Sequence, residues 1–198
     1  MSAIENKAEH EVDVAKVNRT IYTVGHSTRS VDELIDILLA FSVTRLIDIR
    51  RIPRSQTNPQ FNLDVLPNTL RDKEIAYVHL TELGGHRAKS RCIEENLNAG
   101  WERQPFHNYA DYAQSTSFQV GLHELIKMAS CETCAIMCAE AVWWRCHRRI
   151  VTDYLLAYGF QVVHLFTTTK GEPASLTPFA IIDADGNVSY PASAQAEQ

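Results

Sequence analysis

The densest chemistry in the 198-residue chain lies between Cys138 and Arg149, read Cys-Ala-Glu-Ala-Val-Trp-Trp-Arg-Cys-His-Arg-Arg. Two thiols, an imidazole, a carboxylate and three guanidinium groups stand within twelve positions. Cys138 ends an apolar run, and Cys146, His147 and Arg148 are read as opening a helix. Free N–H groups at a helix start favour an anion. The same field, with arginines nearby, favours a thiolate at Cys138 or Cys146. Glu140 or His147 can then move a proton. Trp143 and Trp144 can stack on a planar ligand. The plainer alternative makes Cys138 a small buried hydrophobe and the tryptophans a cap on the core.

Two sharper motifs fail or weaken. A phosphatase-type loop needs five residues between cysteine and arginine, and six separate Cys138 from Arg145. Cys131-x-x-Cys134 with Cys138, Cys146 and His147 offers enough zinc ligands. Cys134 and Cys138, however, stand at opposite ends of one predicted strand. A lone C-x-x-C is also a weak signal. No metal ligand is therefore assigned, and zinc or iron remains an alternative that nothing in the sequence requires.

The basic residues are clustered. Windows 45–54, 87–91 and 145–149 hold ten of the 19 Lys+Arg and one of the 24 Asp+Glu. The overall charge of −5 thus divides into +9 in these windows and −14 elsewhere. An acidic mean excludes a protein that coats nucleic acid through a general positive field. It does not exclude a local anion site, because arginine forks match phosphate and carboxylate. Arg50, Arg54, Arg87, Arg145 and Arg148 are the candidates for holding an anion. Asp48 and Glu140 are the acids that would pair with them otherwise. His26 and Ser27 follow the first predicted strand and can bind phosphate or shuttle protons. Tyr109 and Tyr112 either line the pocket or pack their helix. His79 and His164 fall inside strands and are read as core.

The elements that must position these groups alternate. Strands are predicted at Thr20–Val24, Val43–Ile49, Ile75–Leu80, Ala135–Cys138 and Gln161–Phe166. Ser30 and Glu33 form a capping-box pattern before a helix with apolar residues at helical spacing. Asn62 is read as the cap of a second helix reaching Asp72. Helices are also expected at Asn108–Ser115, Phe118–Ala129 and Cys146–Tyr158, with Gly159 as a left-handed stop. The segment from Thr81 to His107 is long for a loop, which suggests function. Asp185-Gly186-Asn187 resembles a hairpin turn. The expected fold is α/β, a three-layer α/β/α domain. Its sheet is mostly parallel and about five-stranded, with a C-terminal β-hairpin. The domain should span 19–190, between a polar leader 1–18 and a disordered tail 191–198. In such sheets ligands bind beyond the carboxyl ends of the strands. That rule would bring the three basic windows to one edge.

No stretch has the length of a membrane span or a signal-peptide core. Five cysteines, an odd number in a chain this long, argue against a secreted disulfide framework. A cytoplasmic protein with free or metal-bound thiols is expected.

Several stretches resemble one bacterial and archaeal family, called "domain of unknown function 488". They are Thr23-Val-Gly-His-Ser-Thr28, Ile47-Asp-Ile-Arg50, Pro53-Arg-Ser55, Asn58-Pro-Gln-Phe61, Tyr77-Val-His-Leu80, Glu82-Leu-Gly-Gly85, Cys138-Ala-Glu140 and Cys146-His-Arg148. The resemblance implies a compact α/β domain. It places His26, Asp48, Arg50, Glu140, Cys146, His147 and Arg148 in a shared pattern. Cys131 and Cys134 fall outside it, and Trp143 stands where the family often has proline. The resemblance supplies no reaction.

Three functions fit these residues. The first is an enzyme of hydrolase or group-transfer type acting on a phosphate-bearing, nucleotide or nucleic-acid ligand. The second is a nucleic-acid-binding or DNA-repair accessory module without chemistry, using aromatic stacking and phosphate contacts. The third is a metal protein using Cys138, Cys146, His147 or His26. Hydride transfer fits these groups less well than hydrolysis or group transfer, because no G-x-G-x-x-G follows a strand.

Overall fold

The computed structural model describes residues 20–192. The polar leader 1–18 lies outside the described residues, as does the tail beyond 192. Five strands run parallel: β1 (Thr20–Gly25), β2 (Arg45–Asp48), β3 (Ala76–His79), β4 (Cys134–Cys138) and β5 (Gln161–Leu165). A sixth, β6 (Gly171–Pro173), pairs antiparallel with β5. The spatial order is β3-β2-β4-β1-β5-β6. The expectation of about five strands therefore gains an edge strand. Three residues containing glycine and proline carry no periodicity that would announce it.

Alternation along the strands builds two cores. Ile21, Ile47, Ile136 and Val162 point to one face. They meet α3 (Gln104–Ala113), α4 (Thr116–Ala129) and α5 (Arg148–Ala157) through Tyr109, Leu122 and Val151. Val24, Leu46, Ala135, Met137 and Leu165 point to the other face. There they meet α1 (Val31–Ala40) and α2 (Leu66–Arg71) through Leu34, Leu38 and Leu70. Every residue of β4 is buried, as expected of a parallel strand covered on both sides. Two helices on one face and three on the other make an α/β/α sandwich.

Local chemistry sets most helix ends. Ser30 and Glu33 close a reciprocal capping box on α1. Gly159 takes a φ of +80° just after α5. The hairpin forms between β7 (Ile181–Ile182) and β8 (Val188–Ser189), with Gly186 at φ +83° in its turn. Four helix starts differ from expectation, α4 beginning at Thr116, two residues early, on its Ser115 cap. The Asn62 side chain bonds the Ser55 N–H instead of capping, so α2 begins later, with Pro67 in its first turn. Helix α3 begins at Gln104, four residues early, because Pro105 suits a first turn. Cys146 and His147 precede α5, held in the exit of a 3-10 turn, Trp143–Arg145.

The chain order creates a crevice. The β1→β2 and β2→β3 connections carry α1 and α2 on one face. The β3→β4 and β4→β5 connections carry α3, α4 and α5 on the other. Strand β4 lies between β2 and β1, so its exit loop diverges from both neighbours. The gap is bridged by two bonds, His26 N–H to Cys138 C=O at 3.0 Å and Ser27 N–H to Ala139 C=O at 2.9 Å. This approach requires glycine at position 25, since a Cβ there would lie 2.0 Å from the Glu140 carbonyl oxygen. Gly25→Ala is therefore expected to destabilise the protein by about 1–3 kcal/mol through overpacking. A urea-unfolding midpoint checks this.

Candidate functional site

Strand β2 ends on a charge. Asp48 is fully buried, and its carboxylate accepts bonds from the Arg50 backbone N–H at 2.9 Å, Arg50 Nε and Nη2, and Tyr77 Oη at 2.7 Å. Arg50 is buried with it. Its Nη2 also donates to the Phe61 carbonyl, and its own carbonyl accepts from His79 Nε2 at 2.7 Å. Its Nη1 reaches His26 Nε2 at 3.1 Å. His26 must accept there, so its Nδ1 carries the proton and donates to Ser27 C=O at 2.9 Å. The ring stacks on Phe61 at 4.2 Å. Burial, then the Arg50 charge, lower the His26 pKa to about 4. Burial and the Asp48 carboxylate push the Tyr77 hydroxyl up, so it stays a donor. Neither His26 nor Asp48 is a free ligand group: each holds Arg50.

A second cluster lies where β4 leaves the sheet. His147 bonds the Ile49 carbonyl through Nε2 at 3.0 Å. That bond fixes the tautomer and turns Nδ1 to the sulfurs, 3.6 Å from Cys146 Sγ and 3.9 Å from Cys138 Sγ. The ring is locked by Tyr109, 4.9 Å away, and by Gly85, where a Cβ would lie 2.7 Å from Nδ1. Arg148 is 1% exposed. Its backbone N–H and Nε each meet Cys146 Sγ at 3.5 Å. Its Nη groups bond Thr23 Oγ1 and the carbonyls of Glu140 and Ala141. The two thiols titrate as a pair. Burial opposes ionisation of Cys146, but a hydrogen bond from Cys138 and the Arg148 charge favour it. Its pKa falls well below the thiol range. Bonding to Cys146, and then burial, raise Cys138. Within the pair, ionisation is therefore favoured at Cys146 over Cys138.

Three depressions follow this edge of the sheet. A cleft of about 370 Å³ is lined by His26, Ser27, Thr28, Arg50, Arg54, Ser55 and Asn58. A pocket of about 300 Å³ is lined by Cys138, Cys146, His147, Tyr109, Phe106 and Arg145. Ala139 and Glu140 border both. A cleft of about 780 Å³ adjoins through Phe106 and Arg145 and adds Trp101, Arg103, Trp144 and Arg149. Ser27 sits at φ +49°, a strained value for a residue with a side chain.

Of the arginines singled out in the sequence, Arg54 and Arg145 are exposed on these clefts. Arg50 and Arg148 are consumed largely by internal bonds. Arg87 bonds the carbonyls of Gly84 and Thr81 and lies over the Tyr112 ring at 3.6 Å. It lines none of the three depressions. Arg45 sits at the opposite edge of the sheet, paired with Glu132 at 2.6 Å. Trp144 is 46% exposed, whereas Trp143 stacks on His164 at 4.3 Å and caps the core. His164 is core as expected, but His79 belongs to the Arg50 network. Glu140 is exposed, its Oε1 3.4 Å from the Val142 N–H. Tyr109 is buried and donates to the Leu83 carbonyl. Cys131 is exposed, and Cys134 is buried at the amino end of β4, remote from the other two thiols.

Sequence reasoning missed Tyr77, Phe61, Thr23, Trp101 and Arg149. The first three stand in stretches that carried the family resemblance, so a signal existed. Arg149 stood in the basic window 145–149 without being singled out, and Trp101 had no signal: Arg149 lies over the Trp101 ring at 4.8 Å across 48 residues of chain.

An open α/β sheet with a Cys–His–Arg cluster at its strand-order reversal defines the class. Within it, the chain belongs to the family described as domain of unknown function DUF488, whose profile matches residues 30–155. Asp48, Arg50, Glu140, Cys146, His147 and Arg148 lie within the match, and His26 precedes it. No curated protein and no solved structure matches the chain. Among the described residues, no helix is long and apolar enough to cross a membrane.

The networks make two predictions. Asp48→Asn leaves Arg50 buried without its counter-charge, at a cost of about 3–5 kcal/mol in chemical denaturation. His26 and His164 are both lowered to about 4, chiefly by burial. The unfolded chain takes up protons near pH 6.5 that the folded chain refuses. Stability should therefore fall as pH drops from 6.5 towards 4, by at most about 1.4 kcal/mol per pH unit per histidine. His164→Gln should flatten that slope in unfolding curves.

Proposed function

We propose that this protein is an enzyme acting on a phosphate-bearing, nucleotide-like ligand, as a hydrolase or group transferase with Cys146 as its reactive thiol. One observation carries the reading: Cys146 Sγ lies between His147 Nδ1 and the Arg148 guanidinium, in a pocket that borders an arginine-lined cleft. Arg54, with the hydroxyls of Ser27, Thr28 and Ser55, supplies donors for the anion. Trp144 and Phe106 offer faces for a planar group.

In the proposed reaction Cys146 Sγ forms a bond to the electrophilic centre, and the bond to the leaving group breaks. His147 accepts the proton displaced from the thiol and gives it to the leaving group. Water or an acceptor alcohol then attacks the intermediate; Glu140, exposed and shared by both depressions, takes its proton, and the sulfur leaves and regains a proton. The five cysteines are unpaired in the structure. This chemistry needs reduced thiols, and we assign it to the cytoplasm.

A second reading rests on the cleft of about 780 Å³. Arg103, Arg145 and Arg149 beside Trp101 and Trp144 suit a single-stranded nucleic acid without any chemistry. Such binding would fall steeply with salt.

Thiol profiling with iodoacetamide at neutral pH tests the first reading. Cys146 should react well ahead of free cysteine, and inorganic phosphate should slow it. If Cys138 and Cys146 both react no faster than free cysteine, the nucleophile is wrong. Arg54→Ala should then leave the thiol rate intact but remove most of the phosphate protection.

A further inference from the structure

We propose that Cys138, Cys146 and His147 form a site for a soft divalent cation of the zinc class, with its fourth coordination position open to the pocket. The ligand atoms of these three residues all lie within 4.8 Å of one another. Tetrahedral zinc has Zn–S near 2.3 Å and Zn–N near 2.0–2.1 Å, which separates sulfur from nitrogen by about 3.6 Å. The two S···N distances are 3.6 and 3.9 Å. The two sulfurs are the widest pair, within 4.8 Å, and must approach by up to about 1 Å to reach the roughly 3.8 Å of two thiolates on one tetrahedral zinc.

The surroundings fit a metal site as well as the distances do. A metal-binding imidazole ordinarily donates its other N–H to a carbonyl or carboxylate. His147 does so through Nε2 to Ile49, which leaves Nδ1 as the ligand atom. Gly85 and Tyr109 fix the ring plane. Arg148 Nε meets Cys146 Sγ, as an outer partner of a bound thiolate would. Two thiolates and one imidazole select zinc over magnesium or calcium. Three protein ligands and one open position are the pattern of catalytic rather than purely structural zinc. His26, the fourth metal ligand considered from sequence, is bound to Arg50 instead.

The site shares Cys146 with the proposed thiol chemistry but does not rest on it. An ion held there withdraws the thiolate, so the loaded protein would lack its nucleophile. Zinc would then act as a brake on that chemistry, or would present a bound water to the same pocket.

The experiment uses the full chain, stripped by chelator under reducing conditions. Zinc is titrated against a competing chromogenic chelator, and cobalt is added separately as a spectroscopic substitute. One zinc per chain and a tetrahedral cobalt–thiolate spectrum are expected. Cys138→Ser and His147→Ala should each weaken zinc by more than the roughly 10–100-fold that an outer partner is worth. Cys131→Ser should change nothing. The cobalt spectrum of the unaltered chain needs no variant, so a misfolded variant does not rescue the idea. Absence of stoichiometric binding overturns it, as does binding that Cys131→Ser abolishes. Fast iodoacetamide labelling without zinc binding sinks the metal site and spares the thiol enzyme. Zinc binding with slow labelling of the stripped chain does the reverse.

Discussion

The structure turns on a carboxylate that has no access to water. Asp48 ends β2 inside the sheet, and an unpaired charge there would be too costly to bury. Arg50 follows two residues later and answers it with its backbone and its guanidinium. The remaining Arg50 donors then reach Phe61 and His26. One ion pair thereby ties the loop after β2 to the loop after β1, and His79 ties it to the end of β3. Without that pair the carboxyl edge of the sheet would have no fixed shape on which to place a site.

Arginine is used here in two ways. Arg50 and Arg148 are buried and spend their donors on carboxylate, carbonyl and sulfur atoms of the protein. They are positioning residues. Arg54, Arg103 and Arg145 are exposed beside the clefts and keep a capacity to meet an incoming anion. Counting charge along the chain treats both groups alike. Burial separates them, because a desolvated guanidinium must be saturated locally and a solvated one need not be.

The thiols divide by the same logic. Cys134 and Cys138 share one buried strand, yet Cys134 lies near the Arg45–Glu132 pair and Cys138 meets Cys146 and His147. Strand rise keeps Cys134 at the far edge. Cys146 comes back to Cys138 because the turn at Trp143–Arg145 reverses the chain before α5. Nine positions of sequence thus become a contact between the Cys138 sulfur and the His147 imidazole. Ionisation of that pair is favoured at Cys146, against which the Arg148 guanidinium lies.

Much of this was legible in the sequence for local reasons. Alternating apolar runs determined the parallel strands, and the Ser30–Glu33 pattern and Gly159 determined helix ends, because these depend on neighbours a few residues away. The same runs, with the rule that ligands sit beyond strand ends, pointed to the edge holding His26, Arg50, Glu140, Cys146 and His147. The edge strand Gly171–Pro173 was not legible, since its strand character comes from β5 and not from its own residues. Nor was the division of the arginines, the Trp101–Arg149 contact or the direction of His147 Nδ1. Those depend on what stands opposite in space. The sequence by itself determined which chemical groups gather at one end of the sheet. Only the tertiary structure decided which are saturated by the protein and which remain open to a ligand, because each buried polar atom takes its partner from a distant part of the chain.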